Sequence, residues 1–369
     1  MLVIGGAVLC FFLAIQMMGS SFGLLGQDLS LIEQGVHNPF IGLFIGLLTT
    51  AILQSSSTTT SLTVAAVASG SIQLDFAIPV ILGANVGTTI TSTIVAFGFI
   101  TKSNEFRKAM SAAMIHDMFN ILAVIIIFPL ELKYQFLQDM SSYLAAKVPA
   151  SFAEGSSFFG FKDFFNWLSQ GIVRLVGSVG MLALSFFLLF GTIKVLSTLL
   201  YKRLIGKRKR QFQQTIFKTR RRTFGWGLLL TAVVQSSSLT SSLIVPVVAT
   251  NRVSLKRAFY FLMGANIGTT LTALLAALFR TEAAMSLALA HFLFNTIAVS
   301  IFAIAPIIGR LPLYLAEQLG FLMYRFRITA FAYISLAFFL IPFALIYFSQ
   351  SDKARDEPVQ EARKTEVKP

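Results

Sequence analysis

The sequence predicts an all-α integral membrane protein made of two inverted-topology repeats, each with a re-entrant hairpin, and about seven full crossings. Three observations predict it. The 369 residues are 55% hydrophobic and only 12% charged, which is not a soluble composition. Apolar runs recur at 2–25, 40–67, 76–99, 109–130, 174–200, 224–250, 258–279, 284–309 and 329–348, each close to or above the ~20 residues a membrane helix needs. Finally, residues 48–95 match 229–276 without gaps at 22 of 48 positions, including Gln-Ser-Ser-Ser at 54–57 and 235–238 and Gly-Ala-Asn-(Val/Ile)-Gly-Thr-Thr at 83–89 and 264–270. Only helices and closed barrels satisfy their backbone in lipid, and the runs lack the alternation of barrel strands.

The first run, 2–25, has no basic flank and no small-residue cleavage site, so it reads as a retained helix and not a signal peptide. Runs 40–67 and 224–250 hold the two Gln-Ser-Ser-Ser phrases, and loop charge decides how they lie. Ten Lys and Arg residues fall between Lys202 and Arg222 with no acid among them. A basic block between membrane segments is ordinarily cytoplasmic, so the formal charge of +14 points to topology and anionic lipid and not to nucleic acid. If both phrase-bearing runs enter and leave on one side, the basic segments 100–108, 251–257 and 310–327 all fall inside; single crossings would put the last two outside. The N-terminus is then cytoplasmic, while 26–39, the connection 131–173 and the tail after 349 are exterior. The first hairpin opens outward and the second inward.

The repeats therefore divide as 1–130 (hairpin 40–67) and 174–348 (hairpin 224–250, with the basic loop 201–223). Stretches 131–169 and 311–327 are amphipathic enough to lie along the interface. The tail 349–369 holds five acids and five bases and reads as disordered. The single Cys10 rules out an intramolecular disulfide and a Cys-rich zinc site.

Seven consecutive hydroxyl residues, Ser55 to Ser61, cannot face lipid without cost. If the chain turns at Gln54–Ser57, the following half-helix presents free N–H groups and a positive dipole end. Gln54, Ser55, Ser56, Ser57, Thr58 and Thr59 then form half of an anion cradle, and Gln235, Ser236, Ser237, Ser238 and Thr240 the other half. Half-helices meeting near the midplane are where transporters of this build hold substrate. The bland alternative is small-residue packing and hydroxyls bonded to their own helix.

Asn85 and Asn266, with Thr88, Thr89, Thr269 and Thr270, offer neutral oxygens suited to a hard monovalent cation such as sodium; a glycine packing seam is the alternative and is compatible. Asp117, deep in run 109–130, is a functional candidate because intramembrane acids are costly. The second repeat keeps His291 and Asn295 opposite His116 and Asn120 but has Phe292 in place of the acid. Asp117 is thus an extra cation ligand or a neutral structural acid, and the two His read as packing hydrogen bonders. No Gly-x-Ser-x-Gly, P-loop or His-Glu-x-x-His is present in the sequence, so no enzyme is expected.

These residues resemble the type II sodium–phosphate cotransporters and their bacterial relatives. The resemblance rests on the paired Gln-Ser-Ser-Ser and Gly-Ala-Asn-x-Gly-Thr-Thr phrases, on His116-Asp117-x-Phe119-Asn120 with Pro129-Leu130-Glu131, and on His291-Phe292-x-Phe294-Asn295. Arg310-Leu311-Pro312 and Phe338-Phe339-Leu340-Ile341-Pro342 extend it, so that it covers 40–345. It implies sodium-driven import of inorganic phosphate across the plasma or inner membrane by alternating access. Phosphate would be held at Gln54–Thr59 and Gln235–Thr240, and sodium by the hairpins with Asp117, Asn120 and Asn295. Sodium is the coupling ion and no other cofactor is implied. An acid at the Asp117 position is associated in the family with an additional sodium and net charge movement. The chain departs from animal members in its short 131–169 connection, in lacking their Gln and Asp around Phe99–Lys102, and in stopping after 329–348 without their extra terminal helix; some bacterial relatives carry a PhoU-like domain after the membrane part, for which the ~20-residue tail leaves no room. Another oxyanion such as sulfate or arsenate, a non-transporting phosphate sensor, and a homodimer all remain compatible with the sequence.

Overall fold

A computed structural model describes residues 2–28, 38–148, 161–205, 216–278 and 281–348. The tail and parts of the 131–173 connection and basic loop lie outside the described residues. Among the described residues the chain is helical, without strands. Seven helices among the described residues are long and apolar enough to cross a membrane: Gly5–Leu25, Leu74–Phe97, Ser103–Tyr134, Trp167–Leu196, Leu255–Ala277, Glu282–Ile304 and Ile328–Phe348. Large apolar side chains are most exposed on the outermost of these, with Leu175 at 85% and Ile328 at 73%, as a lipid-facing surface requires.

In chain order, α1 is Leu2–Asp28, α2 Pro39–Leu53, α3 Ser56–Ala68, α4 Leu74–Gly87, α5 Ile90–Phe97, α6 Ser103–Tyr134 and α7 Phe136–Ala145. Helix α8, Phe161–Ile205, is two helices joined at Gly177, whose φ of 71° and ψ of 174° suit only glycine. Then come α9 Arg220–Val234, α10 Ser237–Ala249, α11 Leu255–Ala277, α12 Glu282–Ile304, α13 Pro306–Arg325 and α14 Ile328–Ile334. A π-helical turn, Ser335–Leu340, continues α14.

Runs 40–67 and 224–250 are each two short helices, 15 plus 13 residues in both cases. The break falls at Gln54 and Gln235, which share the left-handed conformation (φ 53° and 56°). Glycine contacts show the path. Gly42 and Gly46 on α2 press on the carbonyls of Phe76 and Val80, while Gly83 and Gly87 on α4 press on those of Leu43 and Leu47. Levels rise together along both helices, so α2 and α4 are parallel and α3 between them runs back. The second repeat reproduces this 181 residues later, with Gly227 against the Phe261 carbonyl, Gly264 against Phe224 and Gly268 against Leu228. The chain therefore reverses within both runs. The Gly-x-x-x-Gly of each shared phrase is a packing seam where backbones touch.

Three boundaries differ from the sequence expectation. Run 76–99 is interrupted between α4 and α5 by a tighter turn at Thr88–Thr89, where Thr89 N–H bonds to the Val86 carbonyl three residues back while both threonines keep helical dihedrals; its counterpart α11 is uniform. Run 284–309 ends at Ile304, because Pro306 lacks an N–H and holds Ala305 extended (φ −93°, ψ 100°). Helix α9 begins at Arg220 inside the basic stretch, capped by the Thr219 hydroxyl accepting from Arg222 N–H. The amphipathic stretch around 311–327 becomes α13, packed along α6, with Gly320 against Ser111 and the Arg107 guanidinium over the Phe321 ring.

Candidate anion and cation site

The two turns come together. Each hairpin's second helix starts at a Ser N-cap: Ser55 Oγ accepts from Thr58 N–H and Ser236 Oγ from Leu239 N–H. Beyond them, Ser56 Oγ and Ser237 Oγ share a hydrogen bond of 3.3 Å. Ser57 Oγ donates to the Gln235 carbonyl at 2.9 Å, and Ser238 Oγ donates to the Gln54 carbonyl at 3.1 Å. All three contacts map onto themselves under the 181-residue offset, so the tips meet about a local pseudo-twofold axis. In this conformation the tips close on each other, and two N-terminal helix ends with their positive dipoles face one point.

The flanking helices cross-link the repeats in the same reciprocal way. His116 Nε2 donates to Asn266 Oδ1 at 2.8 Å, and Asn266 Nδ2 donates to Asn120 Oδ1 at 2.6 Å. Conversely, His291 Nε2 lies 3.4 Å from Asn85 Oδ1, which also accepts from Asn295 Nδ2 at 3.3 Å. A His and an Asn one turn apart on one repeat thus grip the Asn of the other repeat's shared phrase. The grip is tight at Asn266 and looser at Asn85. All six side chains are buried.

The threonines of the phrase bond back to their own helices: Thr88 to the Ala84 carbonyl, Thr89 to Val86, Thr269 to Ala265 and Thr270 to Ile267. Their lone pairs remain available, and the Thr89 hydroxyl also lies beside the Asp117 carboxylate. Thr59 bonds to Thr50 and Ser241 to Ser92, which tie hairpin helices to their neighbours. Other buried oxygens have no hydrogen-bond partner, among them Thr60 Oγ1, Ser61 Oγ, Thr93 Oγ1, Thr272 Oγ1, Asp117 Oδ1 and Asn295 Oδ1. Buried acceptors left unpaired are costly and offer hard-cation ligands. Among the described residues no three His, Cys, Asp or Glu side chains converge on one point, so a transition-metal centre has no donor set there.

Asp117 is fully buried. Its Oδ2 accepts from the Tyr333 hydroxyl of α14 at 3.0 Å, across 216 residues of sequence. Its pseudo-equivalent, Phe292, is 36% exposed, so the acid is asymmetric in environment as well as identity. Glu131, of the Pro129-Leu130-Glu131 phrase, has a structural use: its carboxylate accepts from Leu137 and Gln138 N–H at 2.7 and 3.2 Å, capping α7.

Sequence reasoning missed two residues. Tyr333 carried no signal, being one tyrosine in an apolar run. Lys194 did carry one: it is the single charge between 175 and 200. A cleft of about 270 Å³ beside the tips is lined by Gln54, Ser55, Thr91, Ser236 and Ser238 on one side and by Phe190, Lys194 and Thr198 of α8 on the other.

A family model described as Na+/Pi-cotransporter matches residues 10–144 and 187–357. The chain is 29% identical to the sodium-dependent phosphate transport protein 2A of Ovis aries, over 90% of this chain and 65% of that protein. It is 30% identical to protein 2A of Rattus norvegicus, covering 91% and 66%, and 26% identical to protein 2B of Homo sapiens, covering 93% and 64%. The chain thus spans just under two thirds of the length of these curated relatives. No solved structure matches it significantly.

Proposed function

The chain belongs to the Na+/Pi-cotransporter family, and from that premise we propose that it is a sodium-coupled symporter importing inorganic phosphate by alternating access. The observation that carries the proposal is the reciprocal meeting of the tips, Ser57 to Gln235 and Ser238 to Gln54. Two hydroxyl-rich helix N-termini aimed at one point suit a multivalent oxyanion, and a pseudo-twofold arrangement suits exchange between two access states. The phosphate ligands come from Gln54–Thr59, Gln235–Ser238 and Thr240. Sodium takes oxygens from Asn85, Thr88, Thr89, Asn120, Asn266, Thr269, Thr270 and Asn295, with Asp117 supplying the negative charge for an additional ion.

The hairpins enter from opposite faces, the first from the exterior and the second from the cytoplasm, with the N-terminus inside. Loop charge supports this orientation. Because the tips touch, phosphate enters when they part. The hydroxyls that now bond the opposite carbonyls then turn to the anion, exchanging one set of acceptors for another.

Uptake of labelled phosphate into proteoliposomes under an imposed sodium gradient tests the proposal. Accumulation that requires sodium and is not driven by potassium is the expected result; no sodium-dependent uptake refutes it. Equal inhibition by sulfate at similar concentration would reassign the substrate to oxyanions in general. Binding without uptake would make the protein a sensor.

A further inference from the structure

We infer that the oxyanion seat in this conformation is the cleft between the two tips and α8, and that Lys194 is its cation. The inference rests on the phosphate reading above and adds to it a residue outside both shared phrases. With the tips closed at Ser56 and Ser237, no anion sits on the pseudo-twofold axis. Directly beside that axis lies the cleft of about 270 Å³, roughly nine times the ~30 Å³ share of one water. That is room for a tetrahedral oxyanion with several waters.

The walls have the chemistry such an ion needs. Ser55, Ser236 and Ser238 bring hydroxyls from both repeats, and Gln54 brings an exposed side-chain amide. Thr91 borders the same space, and its Oγ1 is buried without a hydrogen-bond partner. Opposite them, Lys194 is exposed into the cleft from α8. Its Nζ stands 5.9 Å from the Phe190 ring centroid, and no carboxylate pairs with it among the described residues.

A lysine within an apolar membrane run is costly and is kept for function. Its compact ammonium acts on phosphate as a point charge with three rotatable donors. Helix α1, the first-repeat counterpart of α8, carries no basic residue. The cation therefore marks one flank of an otherwise symmetric pair of tips and makes that flank the anion's side.

Equilibrium binding of labelled phosphate to the purified full chain in sodium tests this, beside the uptake assay on wild-type protein. Lys194→Met is expected to raise the phosphate Kd about tenfold, the order expected for a charge-assisted contact that is partly screened. Lys194→Arg is expected to recover most of the affinity, which a purely steric role would not allow. Should the Met variant fail to fold, Lys194→Gln reads the same loss of charge. Unchanged Kd in the Met or Gln variant, with wild-type uptake intact, overturns the inference alone. Absent sodium-driven uptake by the wild type overturns the functional reading instead.

Discussion

The contact between Ser56 and Ser237 makes a stringent test, because it concerns geometry and transport separately. Their hydroxyl oxygens are 3.3 Å apart, whereas two sulfurs in a disulfide sit about 2.05 Å apart. Sulfurs placed at these oxygen positions would need to approach by little more than an ångström to reach bonding distance. In a Cys10→Ser background, Ser56→Cys with Ser237→Cys is therefore expected to cross-link under mild oxidation, and neither single variant should do so within one chain.

The energetics then separate a bond from a latch. Two hydroxyl-to-carbonyl hydrogen bonds and the Ser56–Ser237 pair hold the tips. At about 1 kcal/mol net for each, the latch amounts to roughly 3 kcal/mol, or about a hundredfold in population at 1.4 kcal/mol per decade. Thermal motion opens such a latch readily within a transport cycle, but it does not open a disulfide. Sodium-driven uptake by the oxidised double variant should fall to the fraction left un-cross-linked and return with dithiothreitol. Failure to cross-link would refute the juxtaposed tips. Cross-linking with uptake undiminished would refute passage of phosphate between them.

Four further outcomes follow from the same geometry. Tyr333→Phe removes the hydroxyl donor that competes with a cation for Asp117 Oδ2; freeing the carboxylate of about 1 kcal/mol of hydrogen bonding should lower the sodium concentration for half-maximal uptake about fivefold while phosphate KM holds, and Asp117→Gly should lower the charge moved per phosphate, which an unaltered current-to-uptake ratio would contradict. Gly264→Ala drives a Cβ into the Phe224 carbonyl, while Gly225→Ala meets nothing within 4 Å. Overpacking should cost the first about 1–3 kcal/mol or more, seen as a lower thermal midpoint by fluorescence-detected gel filtration, with the second near wild type. Glu131→Ala uncaps α7, and a loss of about 1 kcal/mol should speed amide exchange at Leu137 and Gln138 without changing sodium-driven uptake.

What the sequence made legible was whatever depends on local composition. The seven spans follow from hydropathy, and the reversals within runs 40–67 and 224–250 follow from the charge of the loops around them. Duplication carried the pairing of the phrases, since the glycine seam of each repeat repeats its contacts residue for residue. Contacts between distant segments stayed invisible. The donation from Ser57 to Gln235 spans 178 residues and that from Tyr333 to Asp117 spans 216, and no periodicity encodes either. The tighter turn at Thr88–Thr89 was hidden for another reason. The same Gly-Thr-Thr is uniform helix in α11, so the surroundings and not the phrase decide it. Lys194 was readable by the rule that singled out Asp117, for it is likewise an ionisable residue in an apolar run.

The asymmetries are grouped, and their grouping bears on coupling. Contacts at the tips are self-reciprocal, so under the proposed function one arrangement would serve an anion approached from either repeat. Departures from symmetry lie one layer out. Asp117 stands where the second repeat has Phe292, the helix tightens at Thr88–Thr89 only in the first repeat, and Asn266 is gripped more tightly than Asn85. All three fall on α4–α6 and their partners. Asp117 is further tied to α14, whose backbone passes directly into a π-helical turn at Ser335–Leu340, a local irregularity common at functional sites. A cation bound at Asp117 would compete with the Tyr333 hydroxyl for the carboxylate and so bear on α14, while the symmetric tips held the anion. Charge on Asp117 then becomes the link between sodium and the opening of the tips. This requires that Tyr333→Phe change how sodium alters the rate of Ser56–Ser237 cross-linking in the double-cysteine background. If sodium shifts that rate equally with and without the Tyr333 hydroxyl, the link does not run through this pair.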